Sequence, residues 1–274
     1  MQISSVIDMQ LKLAQLGQAG QSGVAGTVSQ LLGQANQAGS STNAANTVTQ
    51  LLAPATQRVS QQLQSTNVQL SAYGQIKSAF GSVQTAANSL VSATASKTAT
   101  NIDVEKAAQA FVDAYNQAAQ SIGTAVNGTA KAAGALATDA RAKLAGSDLA
   151  QALTGGNGLA DLKQAGITQN KNGTLTLDAK ALDQALQSNS AQTKGALARL
   201  GQQVGASTGR ELASGGNVGS SVGSLTSRSQ TLTAQQTTLQ QQATALQGVL
   251  ERQGAVLNYS TAGGLAAYHS LLGY

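Results

Sequence analysis

The chain has 274 residues and a net charge of +5, yet only 10% of its residues are charged and 3% aromatic; Gln, Ser, Thr and Asn supply the rest of its polarity. With no Cys and a single His (His269), disulfides, a thiolate nucleophile and a Cys- or His-built metal site are excluded, and no cofactor is expected. No run of about 18 apolar residues offers a membrane span, and the positive charge lies without Lys/Arg runs or interleaved aromatics, so no nucleic-acid partner is indicated. Hydrophobic residues make up 41% of the chain but many are Ala. Ala buries little area, which favours elongated helical packing over a compact enzyme.

Residues 1–46 are rich in Gln, Ala, Gly and Ser, with scattered Leu11, Leu13, Leu16, Leu31 and Leu32. Gly17, Gly20, Gly23 and Gly26 weaken any helix there, so a flexible N-terminal arm is expected that orders only when a partner supplies burial. The first residues carry neither a cationic region nor an unbroken apolar stretch, so no secretory signal of the usual kind is read.

Residues 47–91 predict a long amphipathic helix. Leu52, Val59, Leu63, Leu70, Tyr73, Ile76, Phe80, Val83 and Leu90 recur at three- and four-residue spacings as one stripe. The only proline, Pro54, is tolerable in a first turn, which places the regular helix from about Ala53. Residues 92–103 read as a Ser/Thr-rich connector, and a second helix follows over 104–126, with Asp103 as its N-cap. Residues 127–136 are ambiguous; residues 137–153 predict a short helix stopped by Gly155-Gly156.

The stretch 159–187 has the sharpest local signals. A helical turn over Ala160–Gln164 ends at Gly166. Asn172-Gly173 reads as a two-residue hairpin turn, and Leu175 and Leu177 alternate with threonines as a strand. Asp178 then caps a helix running to Gln187, with Leu182 and Leu186 on one face. Residues 191–213 predict another helix, followed by a Gly/Ser linker over Ser214–Ser221.

From Val222 a heptad runs to about residue 258. Leu225, Leu232, Leu239 and Leu246 recur every seven residues, while half of their companions are small or polar. Such a seam suits helix docking better than an autonomous zipper. Residues 259–274 read as a glycine-interrupted tail. The fold class expected is mainly α: long antiparallel terminal helices, coiled-coil-like, with a small α+β inner module (104–213) containing a β-hairpin, and 47–258 as one discontinuous core.

Three fragments in this order carry a resemblance to a known family. They are Ser71-Ala72-Tyr73-Gly74 with Ile76-Lys77; Phe111-Val112-Asp113-Ala114-Tyr115-Asn116; and Gly166-Ile167, Asn172-Gly173-Thr174-Leu175, Leu177-Asp178 with Leu182 and Leu186. Together with the leucine-heptad helix they resemble the bacterial flagellar filament-capping family, hook-associated protein 2, over roughly 180 residues, a length that one domain holds. The family usually carries a large β-rich insertion before its Phe-Val-x-Ala-Tyr-Asn helix; here that gap is only Val91–Val104, so the chain looks like a short form. The resemblance implies export through the flagellar type III apparatus with the help of an export chaperone and without a cleaved signal. It also implies an extracellular site on the flagellum, a homo-oligomeric ring at the filament tip, and contacts with flagellin and the hook–filament junction proteins.

No catalytic constellation is read. Asp103, Glu105, Asp113, Asp139 and Asp148 are scattered acids with solvated or capping roles, Glu251-Arg252 is an exposed pair of little energetic weight, and His269 is a solvent-facing tail residue. The glycine pairs lack the strand-then-helix context of a phosphate cradle. The two seams read first as an intramolecular core, whereas the apolar positions Leu11–Leu32 and Leu257–Leu272 lack an internal partner and suit an assembly surface. The alternatives are a flagellin-like or hook-junction subunit, or a secreted helical adhesin or binding module; an enzyme is the weakest.

Overall fold

A seven-residue apolar repeat dominates the first helix. Tyr73, Ile76, Phe80, Val83, Ala87 and Leu90 alternate three and four residues apart, and all are buried, as a core-facing stripe requires. The computed structural model describes residues 41–155 and 157–271. Helix α1 spans Ser41–Ala95 and α2 Asn101–Asn127; α3 (Ala140–Thr154) and the short α4 (Gly158–Gln164) precede strands β1 (Ile167–Gln169) and β2 (Leu175–Leu177). Helices α5 (Ala179–Ser188), α6 (Ser190–Leu212) and α7 (Asn217–Leu271) complete the order. The fold is mainly α with one small antiparallel hairpin. Among the described residues no helix is long and apolar enough to cross a membrane. Of the expected N-terminal arm over 1–46, residues 1–40 with Leu11–Leu32 lie outside the described residues, as do Gly156 and Leu272, whereas residues 41–46 belong to α1 and are helical.

Residues Gln62–Thr231 form one compact unit. Its core gathers Tyr73 and Phe80 from α1, Phe111 and Tyr115 from α2, Leu182 from α5 and Leu197 from α6. Within it α6 runs antiparallel to α1: Gly209 lies against Gln84, and Gly201 against Ala87 and Val91. The start of α7 is also antiparallel to α1, since Ser221 lies beside the Tyr73 hydroxyl and Ser229 donates to the Asn67 side chain at 2.9 Å. Leu225 and Val222 pack on the same core. The α1 heptad turns polar at Gln62, Thr66 and Gln69, and Thr66 is buried there.

The second unit draws on α1 up to Gln61 and on α7 from Leu232. In it Val48 and Leu232 are buried, whereas Leu52, Val59, Leu239 and Leu246 are half-buried.

Seven local expectations are corrected. Helix α1 does not wait for Ala53 but runs through Pro54; the proline sits on an exposed face between half-buried Leu52 and Ala55, where packing on either side offsets the lost hydrogen bond. The connector shrinks to residues 96–100, and the cap of α2 is Thr100, not Asp103. Asp103 instead closes a capping box: its backbone N–H donates to Thr100 Oγ1 at 3.2 Å and its carboxylate accepts from the Thr100 N–H at 2.9 Å. The helical turn before Gly166 begins at Gly158.

The hairpin turn has three loop residues rather than two. Asn170 N–H donates to Thr174 O at 2.8 Å, and Gly173 N–H donates to Asn170 O at 2.9 Å. Gly173 takes φ +83, the left-handed position that follows such a turn and that glycine adopts without steric cost. The linker expected over Ser214–Ser221 is only residues 213–216, because the Glu211 carboxylate accepts from the Asn217 N–H at 3.2 Å and so starts α7 early. The tail read from residue 259 is helical to Leu271: once a helix is nucleated, each added residue needs no new nucleus, so Gly263-Gly264 weakens the helix without ending it.

Candidate assembly module

The residues singled out by motif converge on one place. Helix α2 carries Val104, Ala108, Phe111, Tyr115, Ala118 and Ile122 along its buried stripe. Asn116, next to Tyr115, leaves that stripe toward the hairpin. Its Nδ2 donates to Leu175 O at 2.8 Å and its Oδ1 accepts from Leu175 N–H at 2.6 Å. An amide side chain thus imitates a neighbouring strand and satisfies both backbone groups of Leu175, which pair nowhere else on that edge.

The hairpin register sets the rest. Ile167 faces Leu177 and Gln169 faces Leu175, so Ile167, Leu175 and Leu177 share one face; Ile167 and Leu175 are buried and Leu177 is half-buried. Thr168 and Thr176 turn outward. Gly166 enters β1 at φ +66, with Asp178 O and Leu182 N only 3.1 Å from where a Cβ would stand. That close approach lets Gly166 O accept from Asp178 N–H at 2.9 Å. Asp178 then caps α5 by accepting from Ala181 N–H at 3.0 Å. Leu182 and Leu186 of α5 are buried.

Of the seam residues, Tyr73 and Phe80 are buried in the core of the Gln62–Thr231 unit, Leu63 and Leu70 are half-buried, and Leu225 packs on that core. Tyr73 does more than fill space. Its hydroxyl donates to Asp139 Oδ1 at 2.8 Å, and the same oxygen accepts from Arg141 and Ala142 N–H to cap α3. Burial, then the Asp139 contact set against the Ser221 hydrogen bond, pushes the Tyr73 phenol up to about 12; burial does the same for Tyr115. Both stay neutral at ordinary pH.

Three polar sites were not legible in sequence. Arg199 of α6 grips Asp161 of α4 with Nε at 3.0 Å and Nη2 at 2.6 Å; the carboxylate side chain is 6% exposed and the guanidinium 53%. Thr193 Oγ1 donates to Ala185 O at 3.1 Å, tying α6 to the end of α5. Glu211, Asp148 and Asn217 meet at the start of α7. These partners come from different helices, so no local spacing announces them. Asp139 lies inside the helix expected over 137–153 and reads in sequence only as a solvated or capping acid, so its place as the cap of a helix that starts at Ala140 is also a finding of the structure.

What the module unites is chemically quiet: apolar side chains, two glycines, an amide and a capping carboxylate. It fixes a hairpin on a helix. Among the described residues no three His, Cys, Asp or Glu side chains cluster to hold a metal. A search of curated proteins finds no match to the chain. A family model, flagellar hook-associated protein 2 C-terminus, matches residues 82–258. That span is well over half of the chain and contains the α2 stripe, the clamped hairpin, α5, α6 and most of α7; the chain belongs to the flagellar hook-associated protein 2 family.

Proposed function

We propose that this hook-associated protein acts as a filament cap or cap-like subunit, assembling as a homo-oligomeric ring at the distal end of the flagellum and promoting flagellin polymerisation. Its role is structural. The observation that carries the reading is the family match over residues 82–258, joined to a module whose matched residues serve to hold a rigid inner scaffold. The reading extends to the seam residues Leu52, Val59, Leu63, Leu70, Tyr73, Phe80, Leu225, Leu232, Leu239 and Leu246 as the pairing faces of the long helices. It assigns the residues before 47 and after 258 to contacts with other subunits. It further implies passage through the type III apparatus with an export chaperone, an extracellular location, and contacts with flagellin and the junction proteins.

The departure from the usual family pattern makes the test decisive. Only five residues separate α1 from α2, where a β-rich insertion is usual. Deleting the gene and assaying filaments and culture medium addresses capping directly. Bald cells that shed unpolymerised flagellin are the expected result; normal filaments with no shed flagellin would overturn it.

A further inference from the structure

Helix α6 ends at Leu212, and after four connecting residues α7 begins at Asn217. The joint between them rests on Glu211, which is 7% exposed. Its Oε2 accepts from Asn217 N–H at 3.2 Å, and its Oε1 accepts from Asn217 Nδ2 at 3.1 Å. The same Nδ2 reaches Asp148 Oδ2 of α3 at 3.4 Å. One side-chain amide thus holds a carboxylate from each of two helices. Two ionised carboxylates are acceptors only, so a direct bond between them requires a proton.

The charged groups facing Glu211 are few. A cleft of about 350 Å³ opens over the pair, and its charged walls are Asp148 from α3 and Arg210 and Glu211 from α6 itself; Arg210 is exposed. Helix α7 presents the uncharged Asn217, and α1 presents Gln84 against Gly209, two residues before Glu211.

We propose that Glu211, set against Asp148 around the Asn217 amide, forms a pH-sensitive latch on the first turn of α7, closed when Glu211 carries a proton and loosened when it ionises. Closed, the Glu211 carboxyl donates toward Asp148 and its other oxygen accepts from Asn217. Open, two like charges compete for a single amide in a half-desolvated site. Burial first, and then the neighbouring Asp148, pushes the Glu211 carboxyl above its usual range. A folded-state value above the unfolded one means that the folded joint binds the proton more tightly. Its contribution is therefore full below the ordinary glutamate range and is lost as pH rises through the raised value. The latch is independent of filament capping and is testable on the isolated full chain.

Amide-exchange protection at Asn217–Ser221, corrected for intrinsic exchange, reads it directly. The expected result is protection several-fold higher at about pH 4 than at about pH 8, the sense that a raised folded-state value dictates. In Glu211→Gln the side-chain amide donates permanently where the proton did, so protection stays at the acid level at both pH values. Asp148→Asn, which removes the opposing charge, likewise flattens the response. A wild-type chain without the pH response, a Glu211→Gln chain that keeps it, or a Glu211→Gln chain that fails to fold would each overturn the latch.

Discussion

Asn116 is the residue on which the hairpin depends most. Neighbouring side chains supply apolar cover that several residues share, but only Asn116 satisfies both backbone groups of Leu175. Asn116→Ala leaves a half-buried N–H and C=O without partners, an expected cost of about 2–3 kcal/mol at roughly 1–1.5 kcal/mol per lost hydrogen bond. Urea unfolding measures it. Asn116→Asp discriminates further: the carboxylate still accepts from Leu175 N–H but sets an oxygen against Leu175 O, so it is expected to rescue less than half of the loss. Equal stability of the wild type and Asn116→Ala would mean that water replaces the amide fully. The residues Phe111, Tyr115, Gly166, Gly173, Leu175, Leu177 and Asp178 were legible in sequence because each obeys a local rule of period, turn or cap, whereas Ile167 entered only through the family resemblance. Their meeting around Asn116 was not legible, because the Asn116–Leu175 bonds close over 59 residues.

At the scale of the element, caps and seams carry the predictions. The Asp103 carboxyl is held below its usual range by hydrogen bonds from the Thr100 side chain and backbone. A lowered folded value means that the capping box is complete above the ordinary aspartate range and is lost as pH falls through the lowered value. The N–H groups of the first turn of α2 are therefore expected to lose exchange protection in acid, the opposite sense to the start of α7. Thr100→Ala should remove that acid response, and its persistence would count against the box as its source. Helix α7 offers a second test. Leu232 is 5% exposed, so Leu232→Asp sets a carboxylate in an apolar site and is expected to cost at least about 2 kcal/mol. Thermal melting followed by circular dichroism checks this; unchanged helicity and midpoint would show that the position tolerates charge. The extents of α1 and α7 were under-read because proline and glycine are penalties rather than stops. Whether a penalty ends a helix depends on packing beyond the window from which it is read.

For the whole molecule, the limiting quantity is apolar burial per residue. Of the core residues, Ala72, Ala79, Ala87, Ala108, Ala118, Ala142, Ala145 and Ala152 are alanines, each burying far less area than a leucine. Little surplus remains over the conformational entropy of a chain this long. Under the ring-forming reading, association adds burial to the folded state alone, and mass action makes apparent stability depend on concentration. The thermal midpoint is expected to rise by several degrees over a hundredfold increase in protein concentration, as about 2–3 kcal/mol of linkage would produce. A midpoint independent of concentration would argue that the chain works alone.

By itself the sequence determined the helical class, the α2 stripe, the hairpin, the cap at Asp178, and the leucine repeat of α7. All are written in spacings of two to seven residues, where side-chain direction follows backbone geometry. Tertiary structure alone decided that Asn116 completes the hairpin edge, that Arg199 grips Asp161, that Tyr73 reaches the cap of α3, and that Glu211 and Asp148 share Asn217. Those contacts join side chains 38 or more residues apart, apart from Glu211 and Asn217 across their short connection. Polar groups select such partners only after the apolar stripes have docked, because burial is what makes an unpaired donor or acceptor costly.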